Sequence, residues 1–468
     1  MKYTAINIGP IIKTLGMARK PRELWAASFL FSHLMKCIYT EVEKAGMKII
    51  SPAKPAQDKN KVGIYPDRIY IEGEFDVKRV LNEAVATFYL DLYGDGRKNS
   101  NNPDLDYFNL MSASCEVEKE CNPIADLNQK LDVMEMCNFA ADKDAAQTIY
   151  KIISKKAFSS LFQIATGEDK LPVPDMEKIA RRRLDAHPEM KTKSHHKYCC
   201  IVQADGDNVG KTVSHEGLEN GKILKISEAL VDFGVKATAI IEDFGGLPIY
   251  AGGDDLLFIA PVIGNDGTNI FNLLENIENN AFKGVHETVR TLGLKDNKGQ
   301  EIEASLSFGV SINYHKHPLY EALESARHLL FGVAKEVEEK KAVACSLRKH
   351  SGGAFDIAFS LKDAELKKQF SELISATTDN DTVSAIAHKI RQEEKLVSIV
   401  LRDGTPGRLD ALFEKVLEFD AEKENYFNAV KKLMPVLFKE VGEKNYSQTL
   451  YSLLRIAKFI KGEDLHDE

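Results

Sequence analysis

The sequence predicts an α+β fold, with two units that mix strands and helices followed by a helical C-terminal domain. Three observations lead there. Short apolar runs of strand length alternate with long amphipathic patterns through residues 1–350. The later part of that region reads β-α-β-β-α-β, the ferredoxin-like order found in polymerase palms. From about Phe355 onward the pattern is helical almost throughout and ends in a charged tail.

The first unit opens with an apolar strand, Tyr3 to Ile8, which Gly9-Pro10 breaks. A helix is expected over 21–44, with Leu24, Ser28, Phe31 and Leu34 along one side, then a strand over 68–72 and a helix over 77–92. Residues 167–197 turn polar, with Pro172, Pro174, Lys178 and Arg181, Arg182 and Arg183, and read as a connector with a short helix. The second unit runs through a strand over 198–204, a helix over 221–244 and a hairpin over 247–261. A further helix, a strand over 304–314 and a last helix over 319–339 complete it. In that last helix Leu319, Leu323, Ala326, Leu330, Val333 and Val337 recur at steps of four and three, a core-facing stripe. The expected domains are residues 1–166, a connector over 167–197, residues 198–350, and a helical docking domain over 351–468.

At 468 residues the chain suits two to four domains, and an apolar content of 44% supplies their cores. The net charge of −8 argues against coating nucleic acid through bulk electrostatics, yet leaves room for a local basic groove. The basic run of Lys178, Arg181 to Arg183 and 191–197 fits an RNA backbone or a solvated linker face. Seven cysteines without a C-x-x-C pair suit a reducing compartment. Cys115, Cys121 and Cys137 are read as buried thiols, because zinc would need a fourth ligand. With no signal core and no stretch of membrane-spanning length, a cytoplasmic protein without membrane contact is expected.

Two acidic motifs carry the chemistry. Ala204-Asp205-Gly206-Asp207-Asn208-Val209-Gly210-Lys211 stands where an apolar strand runs out, and Ala251-Gly252-Gly253-Asp254-Asp255 stands at a hairpin bend. Clustered carboxylates repel, so they persist as ions mainly where hard cations such as Mg2+ or Mn2+ neutralise them. Two such ions can bind the attacking hydroxyl and the leaving pyrophosphate of a phosphoryl transfer together. The glycines let the backbone turn sharply and come close to a triphosphate. Asp205 and Asp254 lie 49 residues apart, so only the fold can unite them. Asp205, Asp254 and Asp255 are the candidate catalytic and metal-binding residues. Gly206, Asp207, Asn208, Gly210, Lys211, Gly252 and Gly253 are candidates for the nucleotide. Lys335, placed on the last helix off its apolar stripe, joins them as a phosphate partner or as an ordinary solvated lysine. Taken singly, each acidic motif also fits a plain turn. Asp205, Asp207, Gly210 and Glu216 match positions 1, 3, 6 and 12 of an EF-hand, but Val209 offers no side-chain oxygen at position 5 and a strand precedes the loop.

At these residues the sequence resembles the large catalytic subunit of type III CRISPR effector complexes, of the Cmr kind, whose active palm is related to GGDEF nucleotide cyclases. The resemblance rests on 204–211 and on Gly-Gly-Asp-Asp at 252–255, and extends to Ser-Phe-Gly-Val-Ser-Ile at 307–312, to 315–323 and to Ala334-Lys335. Ile8-Gly9-Pro10, the segment 18–28 and Pro66-Asp67-Arg68 resemble that family's first, catalytically silent palm. It implies two ferredoxin-like palm domains and an RNA-guided complex that makes an adenylate messenger from ATP when target RNA binds. The product would be a cyclic oligoadenylate, or AMP joined to S-adenosylmethionine. Its partners would be the other subunits, guide RNA and target RNA. By position, Asp205 and Asp254 would be the principal metal ligands, the Gly206 carbonyl assisting and Asp255 supporting.

The resemblance has two gaps. His466-Asp467 is the sole His-Asp pair, so the HD nuclease of many relatives is not expected, and residues 167–197 lack the cysteines of a zinc knuckle. Two rivals remain at this stage: a GGDEF-like dinucleotide cyclase acting on GTP as a homodimer, and a non-catalytic scaffold subunit.

Overall fold

A computed structural model describes the chain except residues 57–60, 95–106, 119–120, 138–146, 148, 151–156, 168–172, 338–339, 378–379, 406, 417–422 and 463–468. His466, Asp467 and Pro172 therefore lie outside the described residues.

The first unit is β1 (Lys2–Asn7), α1 (Pro21–Lys44), β2 (Lys48–Ser51), β3 (Arg68–Glu72), α2 (Val77–Tyr93) and β4 (Met111–Glu116). Its sheet has the order β2-β3-β1-β4, the ferredoxin-like order, with every pairing antiparallel. Pro21 starts α1 at a position where its missing N–H costs nothing. Most of α1 is buried, wider than the single stripe expected, because two sheets share it. The Asp76 carboxylate caps α2 by accepting from the Arg79 N–H, and Gly94 ends it in the left-handed region.

The second unit is β5 (Tyr198–Asp207), α3 (Asn220–Phe244), β6 (Leu247–Gly252), β7 (Asp255–Pro261), α4 (Ile270–Asn276), α5 (Lys283–Leu292) and β8 (Ser305–Tyr314). These strands order as β8-β5-β7-β6. The sheet does not stop there. After α6 (Leu319–Gly332), β9 (Ala342–Arg348) pairs parallel with β8, and β10 (Ala354–Ser360) pairs antiparallel with β9, giving six strands.

Three expectations change here. The last palm helix ends at Gly332, not at 339, and Lys335 sits in the short 3-10 turn Ala334–Glu336. The helical region begins after Ser360, because β9 and β10 extend the palm sheet beyond β8. A parallel strand needs a crossover, and α6 supplies it. Cys115 is buried as expected, but Cys121 is exposed.

The strand β5 is central and apolar on both faces. Tyr198, Cys200, Val202 and Ala204 pack with Phe233, Ala237 and Ile241 of α3. Cys199 and Ile201 face the other way, into a core formed with Leu24, Trp25 and Phe31 of α1. The two units thus share one apolar interior, and the Ala251 N–H donates to the Gly63 carbonyl at 3.0 Å across their junction. The C-terminal region contributes α7 (Ala364–Ala376), α8 (Asn380–Gln392) and the long α9 (Glu424–Lys461), which breaks at Gly442. Phe459 of α9 packs edge-on against Tyr198 at the start of β5, with ring centroids 4.8 Å apart. Among the described residues no helix is long and apolar enough to cross a membrane.

Candidate active site

The acidic residues meet at one end of the palm sheet. The β5–β7 ladder runs from Cys199 opposite Pro261 to Ala204 opposite Leu256, so Asp205 and Asp255 come next along it. The β6–β7 hairpin closes through a two-residue turn, Gly253-Asp254, with Gly252 opposite Asp255. Gly253 has φ +64, which a primed hairpin turn requires at its first central position. The turn lays Asp254 over β5: a Cβ on Gly206 would stand 2.6 Å from Asp254 Oδ2.

The carboxylates raise one another's affinity for protons. Burial, then the charge of Asp205, pushes Asp254 up to about 7. Burial pushes Asp255 well above the usual range, followed by the charges of Asp254 and Asp205 and a hydrogen bond with Asp205. Asp67 from the first unit adds its own negative charge to both. Its place in Pro66-Asp67-Arg68 was the available signal, but nothing in the sequence tied that segment to the acid motifs. Tyr250, also not foreseen, lies against Gly252, where a Cβ would stand 2.5 Å from its hydroxyl.

Lys335 is the cation of the site. Its ammonium pairs with Asp205 at 2.5 Å and Asp207 at 2.8 Å, and donates to the Asp205 and Gly206 carbonyls at 2.9 Å each. This goes beyond either sequence reading of Lys335, as a free phosphate partner or as a solvated lysine. Asp207 also differs from its expected place beside a nucleotide. Its carboxylate is fully buried, and accepts from Ser305 Oγ, Ser307 Oγ and the Lys341 N–H as well as from Lys335. Asp207 therefore anchors Lys335 and β8, and has no face toward the cleft. Asn208 adopts φ +62 and donates to the Glu303 carbonyl at 3.0 Å, forming the turn that starts the short helix Val209–Val213. Gly210 and Lys211 are exposed on that helix. The Lys211 charge bears on Asp296 in a neighbouring loop.

An all-oxygen donor set of Asp205, Asp254, Asp255 and the Gly206 carbonyl suits hard divalent cations. The three carboxylates do not all draw within 4.8 Å of one another, so one ion would not take all three as they stand. Excess negative charge, which Lys335 offsets in part, fits a site completed by cations. The set that does meet that spacing among the described residues is His33, Cys37 and Asp91, where His33 Nε2 already pairs with Asp91 at 3.0 Å.

Residues 198–344 match the family model described as Cas10/Cmr2, second palm domain, and residues 3–82 match CRISPR-associated protein Cmr2, N-terminal. In these two stretches the chain is similar to the Cas10/Cmr2 proteins. The CRISPR system Cmr subunit Cmr2 of Pyrococcus furiosus is 30% identical over 209 residues, covering 38% of this chain. The match spans only 22% of that relative's length. Two solved structures share the fold over nearly the whole chain. The Csm1–Csm4 cassette in complex with cA4 aligns with a TM-score of 0.56 at 14% identity, over 98% of this chain and 69% of that one. A type III-B Cmr-beta complex bound to cognate target RNA aligns with a TM-score of 0.56 at 11% identity, over 98% and 83%. The Cas10/Cmr2 matches thus cover the first unit from β1 into α2, and the second from β5 through β8 with the strand and hairpin that carry the acid cluster.

Proposed function

We propose that this chain is a metal-dependent nucleotidyltransferase that joins nucleotides from ATP within an RNA-guided type III CRISPR effector complex. The observation that carries the reading is the convergence of Asp205, Asp254 and Asp255 where β5 meets the Gly253-Asp254 turn. Asp205, Asp254, Asp255 and the Gly206 carbonyl would hold Mg2+ or Mn2+. Two bound ions would supply the charge that stabilises the attacking hydroxyl and the leaving pyrophosphate. Lys335 offsets part of the negative charge before a nucleotide arrives. Gly252 and Gly253 leave the hairpin backbone open to a triphosphate.

Structures of similar fold are Csm1–Csm4 cassettes in complex with AMPPNP, pppApA and cA4, which supports an adenylate substrate and an oligoadenylate product here. AMP joined to S-adenosylmethionine is the other product the same chemistry allows. The activating partners would be the other subunits of the complex, guide RNA and target RNA.

The test is the Asp254→Ala, Asp255→Ala double variant in the assembled complex with target RNA. Products are read by mass after incubation with ATP, with and without S-adenosylmethionine. Synthesis should fall at least about 10²–10³-fold, the loss seen for one electrostatic stabiliser, while assembly and RNA binding hold. Full synthesis by that variant, with folding confirmed, refutes the proposal.

A further inference from the structure

At the opposite end of the palm sheet the charge changes sign. Asp207 stands opposite Ser305 at the acid end of the β5–β8 ladder, and Tyr198 stands opposite Tyr314 at the other. The ten residues of β5 separate the two ends by roughly 30 Å. Around the Tyr314 end lie two joined depressions of about 510 and 430 Å3, with Lys316 lining both. Arg19, Lys20, Arg22 and Lys178 line the first, and Arg348 lines the second. All six cations are exposed, and none pairs with a carboxylate among the described residues. Asp175 and Glu177 share the first depression, and Asp175 is engaged in capping the Lys178 N–H. In a chain of net charge −8 such a concentration is not a sample of the average surface.

Aromatic rings are interleaved with this charge. Tyr314 packs against His350 with centroids 4.9 Å apart, and Tyr320, on the adjoining surface beside Arg19, is 51% exposed. Cations spaced along a trough with the aromatic side chains of Tyr314 and His350 in its lining match a flexible single strand, which offers a phosphate and a base at each step. An acidic protein surface would use the cations but not the rings. The first four cations belong to the first unit and the connector, and the last two to the palm, so an occupant would bridge both units.

We propose that this trough binds a single strand of RNA, away from the acid cluster. The choice of RNA rests on the complex proposed above, whereas the trough itself does not. The test uses the full chain and a fluorescein-labelled RNA of mixed sequence, with affinity measured across a salt series. Replacing Arg19, Arg22, Lys316 and Arg348 by Ala should weaken binding at least tenfold and lower the salt slope by up to roughly 3, at ~0.7 per phosphate released. A control removing the same charge from exposed Lys225, Lys283, Lys298 and Lys439 should leave both nearly unchanged. Equal losses in the two variants, or unchanged binding by the first, would overturn the trough. Tighter binding of the matching DNA strand would overturn the assignment to RNA. The Asp254→Ala, Asp255→Ala variant should bind this RNA as the unmodified chain does, so the trough and the catalytic reading can fail separately.

Discussion

A methyl group on residue 206 would stand 2.6 Å from Asp254 Oδ2 and 2.7 Å from Val209 Cγ2, inside van der Waals contact of both. Gly206→Ala should therefore move the Asp254 carboxylate by about 1 Å, a misplacement that costs on the order of 10²-fold in rate. The substitution lies at the end of the ladder, so the thermal midpoint should change little while product formation by mass drops. Unchanged synthesis would mean that the Asp254 position is not critical. The same residues show what was legible at this scale. Asp205, Asp254 and Asp255 could be named from strand-end and turn positions alone. Asp207 was taken for a nucleotide contact because the sequence does not say that its carboxylate is buried. The signal was there in part: Ser305 and Ser307 are polar at alternate positions of an apolar strand, which marks a buried acceptor on the facing strand.

At the scale of elements, the junction between the connector and α9 has a built-in sensitivity to acid. His195 and His196 are buried in the short 3-10 turn before β5, and a Cβ on Gly462 at the end of α9 would stand 2.4 Å from His195 Nδ1. Burial lowers His195 to about 3, and burial with the nearby Arg183 charge lowers His196 to about 4. Both folded values lie below the unfolded value of 6.5, so the unfolded chain takes up protons first. The stability contribution is full above pH 6.5 and is lost as pH falls toward 4. At pH 5 each histidine should cost about 2 kcal/mol, at 1.36 kcal/mol per unit. A His195→Phe, His196→Gln variant should lose less thermal stability between pH 7 and pH 5 than the unmodified chain. An equal loss in both would exclude these histidines as the cause. Long amphipathic helices and the apolar β5 were readable from periodicity; β10 was readable too, since Phe355, Ile357 and Phe359 recur at every second position, but β9 was not. Ala342-Val343-Ala344-Cys345 carries little intrinsic strand preference, and only the open edge of β8 makes it a strand.

For the whole molecule, the shared interior predicts that the two units unfold together. Ile201 on β5 is fully buried in the core it forms with α1. Ile201→Ala should cost about 2–5 kcal/mol, the usual range for an emptied core site. In urea it should lower the midpoint of one transition that includes both units. Two separate transitions, of which only the second unit's moves, would contradict a common core.

The sequence by itself determined the α+β class, the ferredoxin-like order of the second unit and the identity of the three acidic residues. Those follow from short-range physics: residue periods fix which faces are apolar, and Gly-Gly-Asp-Asp between two apolar runs fixes a turn. The tertiary structure alone decided that Lys335 reaches Asp205 and Asp207, that Asp67 adds charge from another unit, and that two added strands extend the palm sheet. These depend on contacts between residues tens to hundreds of positions apart, and no local pattern encodes which distant charge or strand edge a segment will meet.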